Sequence, residues 1–271
     1  MNSLDGRSRE LRRVILQMME RSRRGHLGSA FSIVEILRVL YDDVLRFDAR
    51  NPHWPARDRF ILSKGHGCLA LYALLADKGF FPRTELLKFC ASDGILGGHP
   101  ERGKVPGVEV STGSLGHGLS IGVGFALNAK YEKADWRVFV VLGDGESNEG
   151  SVWEAALCAA KYRLNNLTVL VDYNKQQSYG STRVVQDLEP FADKWKSFGF
   201  VVAEVDGHDV SELRSVLSRV PLGPDKPGAV ICHTVKGKGV AFVENDREWH
   251  HKNKLTDGEL ESLLAGLQAD Y

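Results

Sequence analysis

The sequence lacks the marks of secreted and membrane-spanning proteins. Its four cysteines, Cys68, Cys90, Cys158 and Cys232, are scattered and form no C-x-x-C pair. Thiols without disulfide or metal spacing are typical of a reducing cytoplasm, where they pack as ordinary core residues. No apolar run approaches the length of a membrane span, and no signal-peptide core lies near Met1. The sequence therefore predicts a cytoplasmic protein that has no membrane partner.

An excess of charge of either sign is also missing, because 35 lysines and arginines balance 35 aspartates and glutamates. A nucleic-acid partner would favour a basic face, so we expect none. The start of the chain is rich in arginine, but it also contains Asp5, Glu10 and Glu20. Because transit peptides are poor in acidic residues, we interpret it as a solvated helix with Leu11 and Ile15 on its apolar face.

The sequence does contain a regular alternation of short apolar runs and helical patterns. Most runs are rich in β-branched residues and apolar on both faces, which is typical of parallel strands covered by helices. We predict an α/β fold, an open parallel sheet with helices on both faces, in a single domain over residues 1–271 whose helical N-terminal flank covers about residues 1–50. The predicted strands are Arg59–Ser63, Val138–Leu142, Leu167–Val171, Phe200–Val205 and Ala229–Val235, and the predicted helices are Ser32–Leu45, Cys68–Lys78, His117–Lys133, Asn148–Tyr162 and Ser211–Arg219.

One predicted strand, Val138–Leu142, runs directly into an acidic turn, Gly143-Asp144-Gly145. Ligands of open parallel sheets bind beyond the carboxyl ends of the strands, which is where this turn lies. Glycine lets the backbone approach a ligand closely, and the helix that begins near Asn148 offers free N–H groups to a phosphate. The carboxylate would repel that phosphate unless a divalent cation lay between them, and Mg²⁺ is the natural candidate.

A second ligand for such a cation is expected from the end of the next strand. That strand leads to Asn174, 30 residues after Asp144, an interval that accommodates one helix and one strand. Both side chains should then reach the same edge of the sheet, and an amide oxygen adds no second negative charge. The alternative is a plain turn at the D-G pair followed by an N-K turn, because such turns are common.

Two other phosphate-binding patterns are weaker. The sequence contains no G-x-x-x-x-G-K-[ST], which argues against a P-loop. Residues 65–70, GHGCLA, fit a loose dinucleotide-binding pattern. The chain then continues into KGFFPRTELLKFC instead of the strand ending in an acid that such a fold needs.

Several segments resemble, in order, those of the transketolase family. GDGESNEG, followed after the interval by VDYNK, resembles the family's thiamine diphosphate motif. RGHLGSAFSIVEIL, ILSKGHG, LGGHP, PGVEVSTGSLGHGLSIGVG and VENDREWHHK are also similar to transketolase segments. The resemblance covers nearly the whole chain but only the first half of a full transketolase. It implies the thiamine diphosphate-binding fold and the stand-alone N-terminal subunit of a split transketolase.

The resemblance implies two cofactors, thiamine diphosphate and Mg²⁺, or Ca²⁺ or Mn²⁺ in its place. It implies that the side chains of Asp144 and Asn174 and the backbone carbonyl of Gln176 bind the metal. It also implies that Glu149 and Glu154 match acids that couple paired active sites. The cofactor-binding residues implied besides the metal ligands are His66, Gly113, Leu115, Gly143, Gly145, Glu149 and His250.

The implied reaction is the transfer of a two-carbon ketol unit from a ketose, expected to be phosphorylated, to an aldose. The implied catalytic residues are His26, His66, His99 and His250, which would surround the reacting carbon and the sugar hydroxyls. Imidazoles titrate near neutral pH, so they suit the proton transfers of such a reaction. His251 replaces a glycine that is common in the family, which leaves open whether it or His250 points into the site.

In the family, the glutamate that contacts the cofactor's aminopyrimidine and the main contacts to the sugar phosphate belong to the second half of the protein. The chain up to Tyr271 contains no such half. We therefore expect a partner subunit that carries the pyrimidine-binding and C-terminal domains, in an α₂β₂ assembly.

Three other functions remain open at this point. The chain could be the α subunit of a thiamine-dependent 2-oxo acid dehydrogenase, although the histidines of SKGH, GGHP and WHHK favour sugar hydroxyls over a short oxo acid. It could be related to deoxyxylulose phosphate synthase, which its length and the PGVEVSTGSLG segment disfavour. It could also be a cofactor-binding subunit without turnover of its own.

Overall fold

The computed structural model describes residues 4–250, 252 and 254–268, and a five-stranded parallel sheet forms its centre. The strands lie in the order β1-β2-β3-β5-β4, which confirms the predicted open parallel α/β sheet. Their bounds are β1 Arg59–Leu62, β2 Val138–Gly143, β3 Leu167–Tyr173, β4 Val201–Asp206 and β5 Gly228–His233.

The burial of the strands explains their composition. The two central strands β2 and β3 are buried at every position, so β-branched and other apolar residues fill both of their faces. The strand β4 lies at an edge of the sheet and is partly exposed, which is why it tolerates the polar residues Glu204 and Asp206. The central strands therefore hold the carboxyl end of the sheet rigid, and that end carries the acidic turn.

Ten α-helices lie around the sheet in the described part of the chain. They are α1 Gly6–Ser22, α2 Leu27–Phe31, α3 Val34–Val39, α4 Cys68–Asp77, α5 Gly118–Tyr131, α6 Gly150–Lys161, α7 Thr182–Val185, α8 Phe191–Ser197, α9 Val210–Leu217 and α10 Asp257–Gln268. The helices α5, α6 and α8 form one hydrophobic core with the sheet, and α1–α4, α9 and α10 form the other. The prediction of helices on both faces is confirmed. No helix in this part of the chain is both long and apolar enough to cross a membrane.

The opening helix α1 buries the apolar face that the sequence indicates. The Asp5 carboxylate caps it by accepting a hydrogen bond from the Ser8 N–H at 2.8 Å. Leu11 and Ile15 are buried against the helices that follow. The interpretation as a solvated helix is incomplete, however, because the Arg12 guanidinium is also fully buried.

Arg12 is buried because an ionic network surrounds it. It makes two hydrogen bonds to the Glu35 carboxylate, at 2.6 and 2.9 Å, and one to the Lys238 carbonyl at 2.8 Å. His208 accepts a hydrogen bond from the Val235 N–H on Nε2, so its proton lies on Nδ1 and is donated to Glu35. The network thus ties the N-terminal helices to the segment that follows β5.

The turn-rich stretch between Gly94 and Gly118 is irregular, as its composition predicts. It connects the 3₁₀ turn at Arg83–Lys88 to α5 and crosses the carboxyl end of the sheet. His99 and Leu115 lie in it and reach the cavities described below. The loop therefore belongs to the functional end of the molecule.

Candidate active site

The acidic turn and the end of the neighbouring strand meet at one edge of the sheet. Gly143 pairs with Asp172 in the parallel register of β2 and β3, so Asp144 and Asn174 follow directly on adjacent strand ends. Both line a cavity of about 360 Å³, which we call the acidic cavity. Other predicted site residues that line it are His66, Leu115, Gly143, Gly145, Glu149, Gln176 and His250.

Asp144 is a buried carboxylate held by backbone donors. It is 2% exposed, and its oxygens accept hydrogen bonds from the N–H groups of Gly145, at 2.7 Å, and Lys175. Burial, together with the nearby negative charge of Asp172, raises the pKa of Asp144 to about 7. A cation against this carboxylate would favour its ionised form.

Asn174 is oriented by the carboxylate of Asp172. Its Nδ2 donates to Asp172 at 3.0 Å, which leaves Oδ1 to accept a hydrogen bond from the Gln176 N–H at 3.0 Å. Asp172 is fully buried, where burial alone would raise its pKa, but the ion pair with Lys64 and other hydrogen bonds hold that pKa below its usual range. The amide oxygen of Asn174 is therefore fixed on the side away from Asp172.

The sequence reasoning missed Lys236, which lines the same cavity. Its Nζ donates to the backbone carbonyl of Gln176, the oxygen that the resemblance assigns to the metal, at 3.3 Å. Burial, together with the positive charge of Lys64, lowers the pKa of Lys236 to about 8. The V-K-G-K-G run just after the last strand could have indicated this lysine. The carboxyl ends of parallel strands lie at one edge of the sheet, so a residue that follows the last strand can reach the same site.

The oxygen atoms of the acidic cavity fit a divalent cation. Besides Asp144 and Asn174, it contains the side-chain oxygens of Asn148 and Gln176, which are buried and have no hydrogen-bond partner within the described part of the chain. Oxygen is the ligand atom that Mg²⁺, Ca²⁺ and Mn²⁺ prefer. The described residues contain no group of three or more His, Cys, Asp or Glu able to hold a metal. A metal here would therefore depend on amide and backbone oxygens in addition to one carboxylate.

The same cavity also fits a multiply charged anion. Lys64 and Lys236, which are 2% and 5% exposed, place two ammonium groups against it. The N–H of Gly145, a predicted cofactor-binding residue, is directed to Asp144 in this structure. Because Lys64 is already paired with Asp172, a diphosphate would find its positive charge mainly in Lys236. The sequence reasoning singled out neither lysine.

The four predicted catalytic histidines lie in one cluster. The ring centroids of His26 and His66 are 5.5 Å apart, those of His26 and His99 6.4 Å, and those of His66 and His250 6.4 Å. Burial and neighbouring positive charges, including Lys64, hold the pKa of His66 well below its ordinary value. His66 is thus a neutral imidazole at physiological pH, able to donate and to accept a proton.

The histidine cluster connects the acidic cavity to a second cavity of about 270 Å³. His26, His66 and His99 line this second space, which we call the histidine cavity, and His66 lines both. His250 lies on the acidic side, where its Nε2 is hydrogen-bonded to the Ser178 hydroxyl at 3.1 Å. His66 is therefore the residue that the two cavities share among the described lining residues.

Two predicted residues, Gly113 and Glu154, line neither cavity. Gly113 has a φ of 148°, and a Cβ there would lie 3.1 Å from the His99 ring, so this glycine lets the loop pack against that histidine. Glu154 is exposed on the surface of α6. The prediction about His251 falls outside the described residues.

Glu146 is a further residue that the sequence reasoning missed. Its buried carboxylate accepts hydrogen bonds from the Gly143 N–H at 3.1 Å, the Gly116 N–H at 2.9 Å and the Ser63 hydroxyl. Burial raises its pKa above the ordinary value. One side chain thus joins the ends of β1 and β2 to the loop that precedes α5.

Comparisons with known proteins identify the family of this chain. Residues 7–268 match the family described as transketolase, thiamine diphosphate binding domain. The chain is 43% identical to a protein of Actinobacillus succinogenes that is named as one of the subunits of apulose-4-phosphate transketolase, over 98% of this chain and 96% of that protein. It is 40% identical to the 6-deoxy-6-sulfo-D-fructose transketolase subunit SqwG of Clostridium sp. (strain MSTE9), over 96% of this chain and 94% of that protein.

Solved structures give the same result. Transketolase from Leishmania mexicana superimposes with a TM-score of 0.89 at 31% identity. The match covers 97% of this chain but 41% of that one. The resemblance seen in the motifs is thereby confirmed, and the chain belongs to the transketolase family as its thiamine diphosphate-binding domain.

Proposed function

We propose that this chain is the diphosphate-binding subunit of a split transketolase, which transfers a two-carbon ketol unit from a ketose to an aldose. The observation that carries the proposal is the acidic cavity, where Asp144 and Asn174 end adjacent strands beside His66 and His250. A plain D-G turn would not require buried lysines, a buried aspartate and imidazoles around one cavity. This geometry supports a metal–diphosphate site next to a set of proton-transfer groups.

We infer the roles of the cofactor-binding residues from the atoms they present. Asp144, Asn174 and the Gln176 carbonyl would hold Mg²⁺, and Lys236 would balance part of the remaining diphosphate charge, since Lys64 is paired with Asp172. Leu115, Gly143 and Glu149 line the same cavity and would contact the cofactor there. When bound, thiamine diphosphate supplies the electron sink that a carbon–carbon cleavage needs.

The histidines would act on the sugar. The neutral His66 imidazole lies between the two cavities, so it can hold a proton near the reacting carbon and pass it to a hydroxyl. His26 and His99 line the histidine cavity, where they would bind hydroxyl groups of the substrate. His250, held by Ser178, would serve the acidic side.

We also propose that the ketose carries an acidic group. The relatives in Actinobacillus succinogenes and Clostridium are named for a sugar phosphate and for a sulfo sugar, respectively. Both are named as subunits, which supports a partner that carries the pyrimidine-binding and C-terminal domains, and we propose an α₂β₂ assembly. We further propose that residues 1–271 form a single diphosphate-binding domain and that the protein is cytoplasmic, which its four free cysteines support.

The test is an activity assay on the complex purified with its native partner. We expect ketol transfer from a phosphorylated ketose to an aldose, and no turnover of pyruvate. Asp144→Ala should abolish the transfer, whereas Asp193→Ala, an exposed aspartate on α8, should leave it unchanged. Pyruvate turnover would favour an oxo acid dehydrogenase or a synthase. Unchanged ketol transfer by Asp144→Ala would refute the metal-site assignment.

A further inference from the structure

The histidine cavity has a charge pattern of its own, which differs from that of the acidic cavity. Among the described residues, its lining includes two permanent cations, Arg24 and Lys252, and no aspartate or glutamate. The acidic cavity contains the carboxyl groups of Asp144, Glu146 and Glu149 together with the ammonium groups of Lys64 and Lys236. A negatively charged group that enters the histidine cavity therefore meets positive charge and no opposing carboxylate among the described lining residues.

The two cations differ in how they are already engaged. The Lys252 ammonium is paired with Glu259 at 2.5 Å and lies over the Trp249 ring, 4.6 Å from its centre. Arg24 makes no ion pair with any carboxylate among the described residues, and the Cys90 thiol is a polar neighbour from another segment. Burial raises the pKa of that thiol, so it stays protonated and does not neutralise the guanidinium.

Arg24 is also well placed in the chain. It lies two residues before His26, and its neighbour Gly25 donates a backbone hydrogen bond to the Lys252 carbonyl at 3.2 Å. This contact fixes the backbone next to Arg24 while its side chain stays exposed to the cavity. The guanidinium offers several N–H donors in a planar array, which suits the oxygens of a phosphate, sulfonate or carboxylate.

We propose that Arg24 is a specificity-determining residue that binds the acidic group of the sugar in the histidine cavity. The proposal rests on the proposed ketol transfer, and it adds that this chain contributes to selection of the acidic group in addition to whatever the partner provides. A ketose held by His26, His66 and His99 would direct its acid to Arg24. The histidine cavity would then favour acidic sugars over their neutral counterparts.

The experiment measures binding separately from turnover, in the complex with the native partner. Calorimetry gives the Kd of glucitol 6-phosphate, a sugar phosphate without the carbonyl group needed for reaction, and of neutral glucitol. For Arg24→Gln we expect the Kd of glucitol 6-phosphate to rise about tenfold or more, the size of a lost charge-assisted hydrogen bond. The Kd of glucitol should stay within about twofold, and Arg24→Lys should restore part of the loss.

The matched control is Arg23→Gln, which removes the same charge one residue away. Arg23 is paired with Asp257 at 2.7 Å and does not line the histidine cavity. We expect this variant to bind both ligands as the wild type does. An equal loss in Arg23→Gln and Arg24→Gln would show a general field effect and overturn the proposal, as would an unchanged Kd of glucitol 6-phosphate in Arg24→Gln.

Parallel assays separate this proposal from the proposed function and identify the acid. If the wild-type complex transfers no ketol unit but Arg24→Gln still loses glucitol 6-phosphate binding, the proposed function fails and the anion site stands. If transfer proceeds and binding is unchanged, only the anion site fails. Sulfonate and carboxylate analogues of the same polyol show which acid loses most with Arg24→Gln, and a loss for none of the three acids overturns the site.

Discussion

At the scale of single residues, the site depends on buried charges whose partners come from distant segments. Glu146 is the clearest case, because the ends of β1 and β2 and the loop before α5 all donate hydrogen bonds to its carboxylate. The Asp172 carboxylate likewise accepts hydrogen bonds from the Lys64 ammonium and from the side-chain amide of Asn174. Such residues contribute to binding by holding other groups in place.

Glu146→Ala should lower the free energy of unfolding by about 2–4 kcal/mol, because it leaves the Gly143 and Gly116 N–H groups buried without an acceptor. Glu132→Ala, at an exposed position after α5, should change it by less than about 0.5 kcal/mol. Urea unfolding of both variants is the measurement. If the Glu146→Ala variant were as stable as the Glu132→Ala variant, the role assigned to Glu146 would be contradicted.

Lys236→Met should weaken thiamine diphosphate binding by about tenfold or more, since it removes a buried ammonium from the acidic cavity. Lys226→Met changes an exposed lysine between α9 and β5 and should bind as the wild type does. Fluorescence titration of the complex with thiamine diphosphate in the presence of Mg²⁺ gives both affinities. Equal affinities would remove Lys236 from the site.

At the scale of elements, the N-terminal helices hold part of the site in place through contacts outside the two cavities. Arg12 on α1 and Glu35 on α3, together with His208, hold the segment that carries Lys236. None of these residues lies in either cavity. The position of Lys236 therefore depends on contacts made far from the chemistry.

Glu35→Gln should destabilise the chain by about 3–5 kcal/mol, because it leaves the buried Arg12 without its counter-ion. The exposed pair of Glu204 with His233 gives the control, and Glu204→Gln should cost less than about 1 kcal/mol. Thermal or urea unfolding at neutral pH distinguishes them. A small effect at Glu35 would mean that water reaches Arg12.

Because of the same ion pair, we expect the free energy of unfolding to depend on pH in the acidic range. Despite its burial, Arg12 and His208 hold the pKa of Glu35 far below its usual value in the folded state. Its contribution is therefore present above the unfolded pKa of about 4.3 and is lost as the pH falls below that value. The stability difference between wild type and Glu35→Gln should narrow between about pH 4 and pH 2. A constant difference over that range would contradict the assignment.

The sheet could be predicted from the sequence because its signal is local. Runs such as Val138–Leu142 are apolar on both faces, and each strand found lies within about two residues of the predicted one. The position of Asp144 and Asn174 on adjacent strand ends could be predicted from their spacing alone. Glu146, Lys236 and Arg12 could not be identified in this way, because their roles depend on partners that only the folded chain brings together.

At the scale of the whole molecule, the two cavities lie side by side and share His66. The acidic cavity supplies oxygens and buried lysines for a metal–diphosphate group. In the proposed function, the imidazoles and Arg24 of the histidine cavity would bind the sugar. The two cavities thus differ in the groups they offer, and the relatives are named as subunits. From both we infer that the chain holds the diphosphate end of the cofactor while a partner holds the other end.

The most direct test of this account is the titration of thiamine diphosphate into the purified complex with Mg²⁺ and with EDTA, for wild type, Asp144→Asn and Asp193→Asn. The account predicts saturable binding with Mg²⁺ in the wild type and in Asp193→Asn. EDTA should weaken that binding at least about a hundredfold, because without the metal the Asp144 carboxylate repels the diphosphate. Asp144→Asn should weaken it to a similar extent, because the metal loses its carboxylate ligand. An affinity for thiamine diphosphate that changes neither with EDTA nor with Asp144→Asn would contradict the metal–diphosphate site on which the whole account depends.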